Sequence, residues 1–432
     1  MDQFVIEGGY KLSGEIEVGG NKNAAIKLIP ACLLTADPVT LRNVPDIADV
    51  RIMCDILRSL GASIERTPDS TLHIQAQAIL THKVDPMLAQ KIRASIVLAG
   101  PMLARHGRLE LAPPGGDVIG RRRLDTHVLA LEKLGAKITF TDHFEMHTDG
   151  LTGATILLDE ASVTATENTV MAAVLAKGTT ILRNAASEPH VQDLCNFLTC
   201  LGAQIEGIGS NQLIIHGVER LHGGDFRVGA DYLEVGSFIG AAAVTGGEIR
   251  IKNADPQYLD MIALVFKRLG VTWIVDGTDL IVPRAQPLKI MPDLGGRIPE
   301  IKAQPWPAFP SDMMSIALTV ATQSAGAVLF HEWMYNSRFF FTDKLVGMGA
   351  RIVLCDPHRA LVQGPSALRG NLTITSPDIR AGMALLLAAL CADGVTTIRN
   401  IQQIDRGYER VEEKLRALGA SIQRVKVEEH EA

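Results

Sequence analysis

The chain has 432 residues, 47% of them apolar and 21% charged, which suits a soluble globular protein with two or three domains' worth of core. A net charge of −6 argues against a general binder of nucleic acid or of membrane surfaces. The longest apolar runs, such as Met383 to Ala392, are too short to span a bilayer, and no Lys/Arg-flanked apolar segment of the signal-peptide type opens the sequence.

In chain order, the residues before Gly20 read as strand. An apolar helix rich in small residues is predicted over Ala24 to Leu34. An extended stretch follows, ending Leu41-Arg42-Asn43. Next come an amphipathic helix closed by Leu60-Gly61-Ala62 and a short strand at Ser63-Ile64. This unit of helix, strand, helix, strand then returns. Further apolar helices are predicted at Ser95 to Ala104, Val170 to Ala176, Phe238 to Val244, Met314 to Ala321 and Met383 to Ala392. Being apolar on every side, they belong inside a core. The closing string recurs as Leu134-Gly135-Ala136, Leu201-Gly202-Ala203, Leu269-Gly270-Val271, Met348-Gly349-Ala350 and Leu418-Gly419-Ala420, at intervals of 67 to 79 residues. Its glycine acts as a helix stop. Extended stretches end on Asn43, Asn184, Asn253 and Asn400, where Asn turns the chain from strand into loop.

Six units of about seventy residues exceed one core, so two sets of three are expected. A composition break at Leu221 to Gly229 marks the boundary. The fold class is therefore α/β, with residues 22–229 as a first three-repeat domain.

Between the second apolar helix and its amphipathic partner lies Pro113 to Arg123, Pro-Pro-Gly-Gly-Asp-Val-Ile-Gly-Arg-Arg-Arg. A glycine hinge, one carboxylate and a cluster of forked cations suit a lid over an anionic substrate. Further on, His143, Glu145 and His147 alternate along a strand, but no additional ligands accompany them and no metal is assigned. The six cysteines form no CxxC pair, so free thiols, mostly buried, and a reducing compartment are expected.

The starts of the apolar helices carry Lys22-Asn23, Arg93, Thr166-Glu167-Asn168, Glu234, Asp312, and Asp378 with Arg380. N-capping accounts for Asp312 and Asn168. It does not account for Lys22, Arg93 and Arg380, because cations are disfavoured at helix N-termini; an anionic ligand explains them better. If the N-termini of each set point one way, two mouths can face each other across a cleft. Lys22, Arg93, Arg122, Arg338, Arg380 and Arg406 are candidates to line it.

Several motifs together resemble the UDP-N-acetylglucosamine enolpyruvyl transferases. They are Gly19-Gly20-Asn21-Lys22-Asn23-Ala24-Ala25, Arg93-Ala94-Ser95, the Gly115 to Arg122 loop, Phe309-Pro310-Ser311-Asp312-Met313 and Ile404-Asp405-Arg406-Gly407-Tyr408-Glu409. The similarity runs to about Val425, within a superfamily that includes the shikimate-pathway enolpyruvyl transferase. It implies two inside-out α/β barrel domains of three repeats each. Residues 1–21 would join residues 230–432 in the second domain, with the active site in the cleft between the domains.

The reaction so implied moves an enolpyruvyl group from phosphoenolpyruvate to the sugar 3-hydroxyl and releases phosphate. It uses no metal or cofactor and belongs to cytoplasmic peptidoglycan synthesis. By the same resemblance, Lys22, Arg122 and Arg406 would hold phosphoenolpyruvate, with Asn23 close by. The UDP-sugar would be held by Arg93, Arg122, Arg123, Leu124, Asp125, Thr126, Ser162, Val163, Thr164, Asp312 and Met334. Asp312 would take the hydroxyl proton, and Asp117 would be the acid on the mobile loop.

The chain departs from the common pattern at Asp117 (usually Cys), Arg123 (usually Pro), Thr164 (usually Gly), Tyr232 (usually Arg) and Asn336-Ser337-Arg338 (usually acidic). The usual loop cysteine is alkylated by the epoxide fosfomycin, so resistance is expected here. Two alternatives stay open. One is an enolpyruvyl transferase for another nucleotide or sugar. The other is a non-catalytic UDP-sugar-binding paralogue, which the pairing of Asp117 with Asp312 disfavours because a binder needs no acid and base.

Overall fold

The computed structural model describes residues 2–116 and 123–426. These form two compact units. One holds the described residues from Gly20 to Gly229, and the other those from Asp2 to Gly19 and from Ala230 onward.

Each unit buries three helices in its middle and arranges sheets around them. In the Gly20–Gly229 unit the inner helices are Lys22–Ala31, Ala99–His106 with a 3-10 lead-in Arg93–Leu98, and Val163–Ala173. In the other unit they are Tyr232–Thr245, Met314–Gln323 with a 3-10 lead-in Ser311–Met313, and Ile379–Cys391. Small residues let these helices approach closely. A side-chain carbon on Gly240 would sit 3.0 Å from Leu387 and 3.1 Å from Ile316, and one on Gly100 would lie 2.5 Å from the Asn168 carbonyl oxygen. The cost of glycine within a helix is offset by the packing it permits.

Each repeat but the last continues past its outer helix into a strand hairpin, one strand more than the repeat pattern predicts. After Val39–Arg42 comes the helix Ala48–Ser59, then the paired strands Ser63–Thr67 and Thr71–Gln75. The extra strand is short and only half apolar; in the second repeat it is Phe144–His147, within the stretch whose alternation reads as a strand. In five of the six sheets among the described residues, a further strand joins the edge in parallel. Gly224–Arg227 pairs with Val39–Arg42, Thr155–Leu157 with Thr179–Arg183, Ser13–Glu17 with Glu248–Lys252, Glu300–Lys302 with Gly326–His331, and Leu372–Thr375 with Val395–Arg399. Asp2–Glu7 lies between Val395–Arg399 and Ser421–Lys426, where the other repeats place their last strand.

The recurring signals act as their chemistry requires. Gly61, Gly135, Gly202, Gly270, Gly349 and Gly419 all follow outer helices with φ between 81° and 109°. Asn43, Asn184, Asn253 and Asn400 have φ of 50° to 58°. A short polar side chain tolerates that left-handed conformation best. Three of the four amides then tie the turn to backbone: Asn43 to the Val228 carbonyl, Asn184 to that of Leu158, and Asn400 to that of Ser376.

Two expectations need correction. The third inner helix starts at Val163, not at Thr166, so Thr166, Glu167 and Asn168 lie buried in its second turn. Not all thiols are sheltered either: Cys32, Cys54 and Cys195 are buried, but Cys200 and Cys355 are exposed. Cys355 sits on a strand whose outer face meets solvent.

Candidate active site

The Gly20–Gly229 unit contributes a cationic set at helix starts. Asn21 caps Lys22–Ala31 by accepting the Ala24 N–H at 3.1 Å. The Lys22 ammonium, buried, lies 2.8 Å from the Asp49 carboxylate on the neighbouring outer helix. Asn23 is half-buried, and its carbonyl accepts from the Lys27 ammonium at 2.9 Å. Arg93 opens the 3-10 lead-in and reaches the Arg123 carbonyl at 3.4 Å.

Beside this set, Arg123 pairs with Asp125 at 3.3 Å and with Asp159 at 3.0 Å. The hydroxyl of Thr126 donates to Asp159 at 2.7 Å. That hydrogen bond, followed by the Arg123 charge, holds the Asp159 carboxyl below its usual range. Leu124 and Asp125 begin the outer helix Asp125–Lys133. Ser162 caps Val163–Ala173 through its hydroxyl, which accepts the Ala165 N–H at 3.4 Å.

Thr164 has a defined polar role. Asn168 accepts the Gly100 N–H through Oδ1 at 2.7 Å, so its amide nitrogen is the donor to His127 Nδ1 at 2.9 Å. His127 therefore carries its proton on Nε2 and donates it to the Thr164 hydroxyl at 3.0 Å. Burial, reinforced by the Arg93 charge, pushes the imidazole pKa down to about 3. Asn168 thus joins helices rather than capping one.

In the other unit, Asp312 lies in the 3-10 lead-in and caps nothing. Its Oδ1 accepts from Arg338 at 2.5 Å and its Oδ2 from Arg380 at 3.3 Å. Both arginines are buried. Arg338 also reaches the Ser311 hydroxyl at 3.3 Å and stands 5.2 Å over the Tyr335 ring. Ser311 donates to Glu332 at 2.5 Å, and the Met334 N–H donates to the other Glu332 oxygen at 2.8 Å. Burial raises the Glu332 carboxyl, against the pull of Ser311 and Arg338.

Arg380 lies over the Tyr408 ring at 5.5 Å. Burial acts to lower its basicity, but Tyr408, Asp312 and Asp231 outweigh it and the group is held more basic than usual. Asp378 is a true N-cap, accepting the N–H groups of Arg380 and Ala381 at 2.8 and 2.9 Å. Arg406 donates to Gln403 at 2.9 Å. Tyr232 is buried against Trp306 with ring centres 5.7 Å apart. Asp117 and Arg122 lie outside the described residues.

The structure thus gathers Asp312, Arg338, Arg380 and Met334 in one unit, and Lys22, Asn23, Arg93 and Arg123 to Thr126 with Ser162 to Thr164 in the other. It adds Asp49, Asp159, His127, Ser311, Glu332 and Tyr408. Ser311 and Tyr408 stand in the sequence only as members of motifs, and the other four carry no distinctive spacing. Among the described residues, no group of three or more His, Cys, Asp or Glu side chains could hold a metal ion. His143 pairs with Asp142 and Glu145, and His147 with Asp149. No helix of the described residues is long and apolar enough to cross a membrane.

Two units of three inner helices each, with cations and carboxylates gathered near the helix starts, are an architecture that known proteins share. Residues 6–415 match the family model of EPSP synthase (3-phosphoshikimate 1-carboxyvinyltransferase). The enolpyruvyl transferase NikO from Streptomyces tendae superposes with a TM-score of 0.88 at 26% identity over 99% of both chains. An EPSP synthase from Acinetobacter baumannii shares the fold, with a TM-score of 0.75 at 17% identity, over 99% of this chain and 100% of that one. Sequence relatives narrow the class. The UDP-N-acetylglucosamine 1-carboxyvinyltransferase of Bradyrhizobium diazoefficiens is 60% identical over 98% of each chain. That of Treponema denticola is 51% identical over 98% of this chain and 99% of its own. The chain belongs to the UDP-N-acetylglucosamine 1-carboxyvinyltransferase family of enolpyruvyl transferases.

Proposed function

We propose that this enzyme transfers the enolpyruvyl group of phosphoenolpyruvate to the 3-hydroxyl of UDP-N-acetylglucosamine and releases phosphate. That reaction is the first committed step of peptidoglycan precursor synthesis, with consequences for cell-wall biogenesis, cell shape and division. It would take place in the cytoplasm, where both substrates are made. The observation that carries the reading is the Asp312 carboxylate, held from two sides by buried arginines at the start of an inner helix.

Lys22, Arg122 and Arg406 bind the phosphate and carboxylate of phosphoenolpyruvate, chemistry that suits an ammonium and forked guanidiniums. Arg93, Arg123 to Thr126 and Ser162 to Thr164 bind the UDP-sugar. Asp312 takes the proton of the 3-hydroxyl as its oxygen bonds to the enol carbon, and Asp117 protonates the methylene. The tetrahedral adduct then loses phosphate and a methyl proton, restoring the enol.

Phosphate release from phosphoenolpyruvate, measured with a panel of UDP-sugars and shikimate 3-phosphate, tests the assignment. Release that depends on UDP-N-acetylglucosamine is expected. Release with shikimate 3-phosphate alone, or with no acceptor in the panel, would overturn it.

A further inference from the structure

The Gly20–Gly229 unit contains a buried ion pair that the reaction above leaves unused. Lys27 and Glu167 each lie on the second turn of an inner helix, Lys22–Ala31 and Val163–Ala173. Their charged atoms are 3.2 Å apart, with side chains 4% and 0% exposed. The same ammonium donates to the Asn23 carbonyl at 2.9 Å, one turn back toward Lys22. Neither Glu167 oxygen takes part in a hydrogen bond among the described residues, so Lys27 supplies its compensation.

A buried pair of this kind is a weak source of stability, because desolvating both charges offsets their attraction; its better-attested use is to fix one geometry. What it fixes here is specific. One helix carries Lys22 and Asn23 at its start, and the other carries Ser162, Val163 and Thr164 at its start. The pair is the charged link between them, one turn below both.

We propose that Lys27 and Glu167 form a positioning strut that holds the Lys22–Asn23 turn and the Ser162–Thr164 turn in the register both substrates need, and that substrate binding weakens when Glu167 takes up a proton. The proposal rests on the substrate assignment above. Burial raises the Glu167 carboxyl to about 7, with the Lys27 charge opposing and the Glu188 charge adding to the rise. Glu188 stands at the N-cap position of the outer helix Pro189–Cys200, which also presents the buried thiol of Cys195 to the same carboxyl. On the flank of Asn168 the facing titratable group is His127, which burial keeps neutral. Protonation near neutrality removes one charge of the pair and releases Lys27 from its tether.

The test uses Lys27→Met combined with Glu167→Leu, which leaves no unpaired buried charge. In the parent, KM for phosphoenolpyruvate and the Kd for UDP-N-acetylglucosamine are expected to rise as pH falls through about 7, the value to which Glu167 is pushed. The double variant is expected to melt near the parent temperature, to lose this step, and to lose about 10- to 100-fold in kcat/KM at pH 8, the order that small misplacements cost. Parent-like KM and Kd with the step retained would overturn the strut. If the double variant does not fold, Glu167→Gln serves, since its amide cannot titrate: loss of the step supports the proposal and its persistence refutes it. Calorimetric UDP-sugar binding separates the two readings. A parent that binds with the pH step but releases no phosphate would sink the assigned reaction and leave the strut standing.

Discussion

Arg338 donates to Asp312 at 2.5 Å while its other arm reaches the Ser311 hydroxyl at 3.3 Å. One guanidinium therefore sets both the carboxylate and the turn that carries it. Arg380 holds the second carboxylate oxygen. The carboxylate is thereby fixed in direction.

Asp312→Asn keeps size and hydrogen-bonding capacity but loses basicity. Turnover is expected to fall about 10²–10⁴-fold, the usual contribution of a general base. Steady-state phosphate release checks this, and a variant that turns over near the parent rate refutes the role.

Arg338→Lys keeps the charge and loses the fork. A single ammonium cannot serve Asp312 and Ser311 in the geometry of a guanidinium. The expected result is a loss of kcat/KM of about tenfold or more from misorientation of the base. Circular dichroism and kinetics on the same preparation check it, with an unchanged fold and reduced kcat/KM as the expected pattern.

His127 shapes acid stability. Its folded pKa of about 3 lies below the ordinary 6.5, so the unfolded chain binds a proton there first. Stability from this group is present above pH 6.5 and is lost as pH falls toward 3. Between pH 7.5 and pH 5 the loss is about 2 kcal/mol. Urea midpoints of the parent and His127→Gln at both pH values check it; the advantage of the parent should shrink by that amount at the lower pH.

The asparagine turns make a smaller prediction. Asn184 has φ of 58° and donates to the Leu158 carbonyl at 3.0 Å. Asn184→Ala loses the bond and pays the left-handed strain, for a cost of about 1–3 kcal/mol. Asn184→Gly loses only the bond and should be less destabilised. Thermal melting of the two variants orders them.

Asp117, read from the sequence as the loop acid, is expected to make this stretch a poor target for fosfomycin. A carboxylate attacks an epoxide far less readily than a thiolate does. The parent is expected to resist time-dependent inactivation, whereas Asp117→Cys should remain active and become sensitive, with the adduct on residue 117 by mass spectrometry. Rapid labelling of the parent at this loop would contradict the assignment.

Periodicity and punctuation made the repeat legible: the Leu-Gly-Ala stops, the asparagine turns and the all-round apolar helices each report a local backbone requirement. What stayed hidden depends on partners distant in sequence. Nothing around Glu332 signals that it would meet Ser311, and a Glu at position 167 reads as a helix start until Ser162 is seen to cap the helix. In the sequence Lys22 and Arg380 read as cations that call for an anion; in the fold each faces a carboxylate of its own unit, Asp49 and Asp312. A lone sequence reports which charges are present, whereas their compensation is a property of the fold.

The late-pairing strand of each unit has a consequence for synthesis. Val39 faces Gly224, so the Gly20–Gly229 unit can close once Arg227 has left the ribosome. Phe4 faces Ile398 on one side and Arg424 on the other. The strand Asp2–Glu7 is therefore made long before its partners, with Phe4, Val5 and Ile6 unsheltered while the intervening unit folds. An unpaired apolar strand is a template for association with other chains. The nascent polypeptide carries that hazard until residues 395–426 have been made, so a chaperone that binds extended apolar segments would find a site in this strand.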